Sequence, residues 1–134
     1  MDEIIAKIER LIPDLSAYTL ADYVEDAIDE LSGMYYQTFT VSGSTISPTP
    51  TADEEEIIAL TAGRRILEIK KQKATQMAAI VSNVAGKSDL RQVAYELGKD
   101  IIRFSKRVND KIGLASKRQV MKSTQIDQVS HSED

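Results

Sequence analysis

The stretch SPTPTADEEEIIALTAGRRILEI, from Ser47 to Ile69, decides the fold of this chain. Its prolines fix their own φ angles and disfavour helix in the residue before each, which predicts an extended approach up to Thr51. Thr51 and Glu54 have the spacing of a capping box, in which each side chain accepts a hydrogen bond from the other residue's backbone amide. A helix is therefore predicted to begin at Ala52.

The residues that follow this cap are apolar on one wide side of the predicted helix. Ile58, Ala62 and Ile66 recur at the helical period, and the small residues Ala62 and Gly63 allow a neighbouring element to approach closely. The sequence therefore predicts a mainly α fold, a small helical bundle packed around this helix.

The composition restricts the classes of function. A chain of 134 residues is predicted to be one domain without disulfides, since it has no cysteine and only one histidine, His131. No apolar run approaches the roughly 20 residues of a membrane span, and the acidic, amphipathic N-terminus is unlike a signal peptide. We therefore expect a soluble protein made in a cytosol, with no membrane partner, catalytic residue, metal or cofactor.

The charge is distributed unevenly along the chain. Residues 1–56 contain thirteen acidic and two basic residues, whereas 57–122 contain fifteen basic and five acidic residues. This division is typical of helices whose solvated faces differ in sign. It is equally consistent with electrostatic matching, head to side, between copies or with a partner.

Two helices and an arm are predicted before the central helix. The first helix is predicted over Asp2–Ile12 and the second is predicted to be capped by Thr19. Residues 34–47 alternate in the manner of a small β-hairpin or an extended arm, which must lean on the helices or pair with another copy because two strands alone are marginally stable. We expect this β-arm to contact neighbouring subunits through its apolar residues: Tyr35, Tyr36, Phe39, Val41 and Ile46.

After the central helix, a break near Lys71–Thr75 is favoured over one continuous helix to about Val84. The last helix is predicted to be capped by Ser88 and to end at Gly113. Its apolar residues recur every three or four positions: Leu90, Ala94, Leu97, Ile101, Phe104, Val108 and Ile112. The helical domain is therefore expected to span 1–113.

Residues 114–134 form a polar C-terminal tail whose composition indicates disorder unless a partner orders it. An extended docking tail is predicted. Its spaced apolar and basic residues are the candidates for binding a partner: Lys117, Arg118, Val120, Met121, Lys122, Ile126 and Val129.

Other motifs do not indicate catalysis. Gly86-Lys87-Ser88 lacks the earlier glycine and the preceding strand of a phosphate-binding loop. The acids Asp53–Glu56 occupy consecutive helical positions and so diverge, which favours capping over metal binding. The basic residues of the later helices favour a solvated or protein-facing surface over nucleic acid, since no aromatic residues are interleaved with them. These bases are Arg64, Arg65, Lys70, Lys71, Lys73, Lys99, Arg103, Lys106, Arg107 and Lys111.

The order of these parts resembles the head–tail connector, or adaptor, proteins of long-tailed bacteriophages. The segments that carry the resemblance are TLADYVEDAI at 19–28, ISPTPT at 46–51 and IIALTAGRRIL at 57–67. The resemblance extends from Thr19 to Ile112, and the turn at Ser42–Ser44 departs from it because this arm varies among such proteins.

The resemblance implies a structural protein of the virion neck, with no enzymatic activity. About a dozen copies would form a ring beneath the portal protein. The C-terminal tail, residues 114–134, would reach the portal protein. The ring would extend the channel through which genomic DNA passes without sequence-specific binding, and would be the platform for the next neck or tail protein. The alternative is a small regulatory helical module that binds nucleic acid or protein through its basic C-terminal helix.

Overall fold

The computed structural model describes residues 1–35, 37–81 and 83–132, with the backbone alone at 116 and 118–132. The fold is mainly α, with a two-stranded antiparallel hairpin between the second and third helices, as predicted. The elements in chain order are α1 (Asp2–Leu11), α2 (Leu20–Leu31), β1 (Thr40–Ser42), β2 (Thr45–Ser47), α3 (Ala52–Ile80) and α4 (Val84–Ser132).

The first half of α3 is the centre of the fold. Its capping box is formed as predicted: the Glu54 amide donates to Thr51 Oγ1 over 3.3 Å, and the Thr51 amide donates to Glu54 Oε1 over 3.0 Å. Every residue from Ile57 to Gly63 is buried. Since α1, α2 and α4 all pack against α3, this half of the helix is surrounded by the rest of the domain.

Gly63 is the point of closest approach within the core. A Cβ atom at this position would lie 3.0 Å from the ring of Phe104 on α4 and 3.2 Å from the side chain of Ile12. Phe104 and Ile12 are themselves buried, so neither can move aside easily. Gly63, which was predicted to allow a neighbouring element to approach closely, is therefore in close contact with two side chains, those of Phe104 and Ile12.

The break predicted near Lys71–Thr75 was wrong, because α3 continues to Ile80. The lysines of this segment lie on its solvent side, while Ala74 and Ala78, one turn apart, are buried. Packing of this side with α4 maintains one continuous helix, although an uncapped helix of this length is unusual in so small a domain and therefore favoured an interruption.

Helix α4 differs from the prediction at both ends. It begins at Val84, four residues before the predicted cap, Ser88. The side chain of Asn83 accepts a hydrogen bond from the Gly86 amide at this end of the helix. At the other end it passes through Gly113 to Ser132, so the expected extended tail is helical in its backbone. Thr19, the predicted cap of α2, likewise makes no capping hydrogen bond with its side chain.

The apolar side of α4 is covered to different degrees. Ala94, Phe104 and Val108 are buried, whereas Leu97 and Ile101 are half-buried against the core. The periodicity correctly predicted which side of α4 faces the domain. It did not predict the depth of burial, which depends on where α3 lies beneath each turn.

The glycine contact gives a test of the core. We expect Gly63→Ala to lower the free energy of unfolding by about 1–3 kcal/mol, since a new methyl group would press on Phe104 and Ile12. Gly98→Ala is the matched control, because its Cβ would meet only the flexible end of Lys71, 3.2 Å away. Removing that helical glycine should stabilise the protein by up to about 1 kcal/mol. Urea unfolding of both variants checks this; a stabilised Gly63→Ala variant would contradict it.

Candidate interaction surfaces

An ionic cluster joins the start of α3 to α4. Arg107 Nη2 lies 2.8 Å from Glu56 Oε1, and Lys111 Nζ lies 3.0 Å from Glu56 Oε2. The hydrogen bond from Lys111 is the largest cause that lowers the pKa of Glu56, and the charges of Lys111 and Arg107 act in the same direction. These two bases, which the sequence placed on a basic surface, therefore help to hold the domain together.

The neighbouring carboxyl group has the opposite environment. Burial is the largest cause that raises the pKa of Glu55, followed by the hydrogen bond and the charge of Glu3 on α1. The pKa values of two adjacent glutamates on one helix are thus shifted in opposite directions, because Glu56 faces bases whereas Glu55 is partly desolvated and faces another acid.

Helix α2 presents an acidic face to solvent. Asp22, Glu25, Asp26 and Asp29 are exposed and follow the i, i+3, i+4, i+7 spacing of one helical stripe. None of the four forms an ion pair with another residue of the described chain. The last turn of α2 carries acids and no base, which is the unfavourable arrangement for the helix dipole. We refer to these four residues as the acidic face of α2.

Helix α4 presents a second exposed stripe, which mixes basic, aromatic and aliphatic residues. Arg91, Tyr95, Lys99, Ile102 and Lys106 step by 4, 4, 3 and 4, and all five are exposed. Tyr95 is 59% exposed and Ile102 is 71% exposed, while Lys99 Nζ lies 4.6 Å from the centroid of the Tyr95 ring. We refer to these five residues as the outer face of α4.

The outer face corrects one interpretation of the sequence. Tyr95 lies among the basic residues of this face, which contradicts the expectation that no aromatic residue is interleaved with them. The steps of three and four from Arg91 to Lys106 were the signal that could have revealed it.

The β-arm is folded onto its own chain. Phe39 and Ile46 are 7% and 5% exposed and belong to the core of their own chain, which leaves them little surface for the predicted contact between subunits. Tyr35 stacks on Phe39 with a centroid distance of 6.5 Å, and Val41, paired with Ile46 across the hairpin, is half-buried. Tyr36 lies outside the described residues. The hairpin thus leans on the helices, and among the described apolar residues predicted for contact between subunits, Tyr35 and Val41 are the two that remain partly exposed to solvent.

The predicted docking residues lie on the last part of α4. Lys117 is exposed, whereas the side chains of Arg118, Val120, Met121, Lys122, Ile126 and Val129 lie outside the described residues. Lys111 lies beside Glu56, and α3 begins only four residues before Glu56. Because α3 and α4 run antiparallel, the part of α4 after residue 115 extends past the start of α3.

Other features of the described part of the chain bear on the binding of small ligands or metals and on crossing a membrane. An open cleft of about 610 Å³ between α1 and α2 is lined by residues that include Ile5, Glu9, Leu15 and Leu20. No cluster of three or more acidic or histidine side chains that could hold a metal ion occurs among the described residues. Within the same part of the chain, no helix has the length and hydrophobicity that crossing a membrane requires.

Comparison of the chain with family models, curated proteins and solved structures found no match.

The adjacent glutamates give a pH-dependent test. At neutral pH, Glu56→Gln should lower the free energy of unfolding by about 0.5–1 kcal/mol, since a lowered pKa means that the charged carboxylate stabilises the fold. The difference from the unmodified protein should disappear as the pH falls well below 4.5, where Glu56 is protonated.

Glu55→Gln is the matched control and should act in the opposite direction. A raised pKa means that the fold favours the protonated carboxyl group, so the charged form is unfavourable at neutral pH and the variant should be more stable there. This advantage should vanish in acid. Urea unfolding across this pH range measures both variants; shifts of the same sign at neutral pH would contradict the assignment.

Proposed function

We propose that this chain is a head–tail connector of a bacteriophage virion. About a dozen copies form a ring beneath the portal protein, extend the DNA channel and support the next neck or tail protein. The protein acts by shape and valency, without catalysis and without a cofactor, and the genome passes through the ring without sequence-specific contact. Its place is the neck of the particle.

The observation that carries this proposal is the division of α4. Up to Ile112 the helix packs into a domain closed around α3, and beyond residue 115 it continues past the end of its packing partner. That continuation contains spaced apolar and basic residues in the sequence: Val120, Met121, Lys122, Ile126 and Val129. A rigid domain with a projecting helix of this composition suits a protein that inserts one segment into a larger assembly.

A ring makes weak docking effective. One projecting helix contributes a small contact, and ordering it on the portal has an entropic cost. When neighbouring copies are already joined, each further docking event is intramolecular and benefits from a high effective concentration. The assembled ring should therefore bind far more tightly than one copy.

The outer face of α4 supports a second candidate, binding of nucleic acid. Its three bases flank Tyr95, and basic residues with an aromatic side chain are a pattern of nucleic-acid contacts. This function requires that the protein retard DNA with a steep dependence on salt. A connector requires instead that it bind the portal.

Truncation after Gly113 tests the proposal. The truncated chain should unfold at nearly the same temperature as the full chain, because the segment removed lies beyond the core, and its binding to the portal protein of the same phage should fall at least roughly a hundredfold. Pull-down and native mass spectrometry measure binding, and circular dichroism follows unfolding.

Ser123→Ala/Thr124→Ala in the full chain is the control, since it alters polar residues of the same segment and should leave binding intact. A melting temperature that falls sharply on truncation would make the segment a structural strap. Portal binding that survives truncation would place docking elsewhere on the domain.

A further inference from the structure

We propose that the outer face of α4 binds the acidic face of α2 on a second copy of this chain. The contact runs head to side, so each copy offers its acidic face to one neighbour and its outer face to the other. This inference deepens the proposed function, on which its biological role rests, by identifying the surfaces that join neighbours in the ring.

The two surfaces cannot meet within one chain. Helix α2 packs on α3 and α1, whereas α4 packs on α3, and α2 and α4 share no substantial contact. A copy therefore cannot neutralise its acidic face with its own outer face. Two different surfaces on one molecule that fit each other form a heterologous contact, which produces rings when the rotation closes.

The charges of the two surfaces are complementary. The acidic face carries four like charges at spacings that repel one another along a helix, and none of the four forms an ion pair within the described part of the chain. The outer face carries Arg91, Lys99 and Lys106 along one stripe. Opposite charges on two such surfaces steer association and select the register of the contact.

The outer face also has the apolar anchors of a protein interface. Tyr95 and Ile102 are more than half exposed, and aromatic anchors surrounded by a charged rim are typical of interface centres. Ile102 lies between Lys99 and Lys106 on the stripe, where it would gain nothing from a phosphate backbone. Glu96 lies 3.8 Å from Lys99, and Asp100 lies 3.0 Å from Arg103, which weakens the field that a nucleic acid would require. A protein partner therefore fits this face better than DNA.

Part of the outer face matches the acidic face in length. Asp22 and Asp29 lie seven positions apart on α2, and Lys99 and Lys106 lie seven positions apart on α4. At 1.5 Å per residue each covers about 10 Å, so two helices lying side by side bring both ends of the acidic stripe to a lysine.

Charge exchange in the full chain tests the contact. Lys99→Glu/Lys106→Glu reverses the outer face, and Asp26→Lys/Asp29→Lys reverses the acidic face. Sedimentation velocity at low salt measures association, and circular dichroism confirms that each variant is folded. The control is Lys71→Glu/Lys73→Glu, which makes the same change in charge as the outer-face variant at exposed positions of α3.

Each reversal alone should weaken self-association at least roughly tenfold, and the control should not. An equimolar mixture of the two reversed chains should associate again, as should a single chain that carries all four substitutions, because opposite charges then face each other. Added salt should weaken association of the unmodified chain.

Three results would overturn the inference: an unmodified chain that stays monomeric at low salt up to its solubility limit, reversals that leave association unchanged, or mixtures that do not restore it. If the outer-face reversal abolishes retardation of a short duplex DNA probe without changing association, the face binds nucleic acid instead. Charge-dependent association without portal binding would retain this contact and reject the connector function, whereas portal binding by chains insensitive to reversal would do the opposite.

Discussion

The packing of Phe104 and Ile12 around Gly63 is the contact on which the rest of the structure depends. It brings the end of α1 and the middle of α4 to the same turn of α3, where a Cβ atom would already be too close to both. The cap at Thr51 fixes where α3 begins, and the pair of ion contacts from Glu56 fixes how far α4 slides along it. With these three points set, α2 and the hairpin complete the cover over the buried half of α3.

Much of this core could be predicted from local sequence, because its signals are short-range. The Thr51 and Glu54 spacing identifies the cap, and the apolar period identifies the inner sides of α2, α3 and α4. The continuation of α3 through Lys70–Lys73 could not be predicted in the same way. The unusual length of an uncapped helix favoured an interruption there, but burial of Ala74 and Ala78 stabilises the longer helix, and that burial depends on how α4 folds back.

The surfaces were harder to predict, because sequence gives the kind of side chain and not what covers it. Alternation in the arm identified its apolar residues, yet only the fold shows that Phe39 and Ile46 are covered by their own chain. The bases of α4 divide similarly: Arg107 and Lys111 face Glu56, whereas Lys99 and Lys106 face solvent. Composition indicated a disordered tail after Gly113, but the backbone of this segment continues α4. The polarity of a segment carries no information about a helix that precedes it and can continue through it.

The domain has a closed core, and its exposed surfaces are the ones assigned to assembly in the proposed connector. Amide hydrogen exchange on the full chain, alone and with the portal protein that this proposal requires, tests the division most directly. The amides of 57–67 should exchange slowly in both states, because they lie at the centre of the core. Those of 114–132 should slow markedly when the portal is added. Exchange in 114–132 that is already as slow as in 57–67 without the portal, or that the portal does not change, would contradict the account.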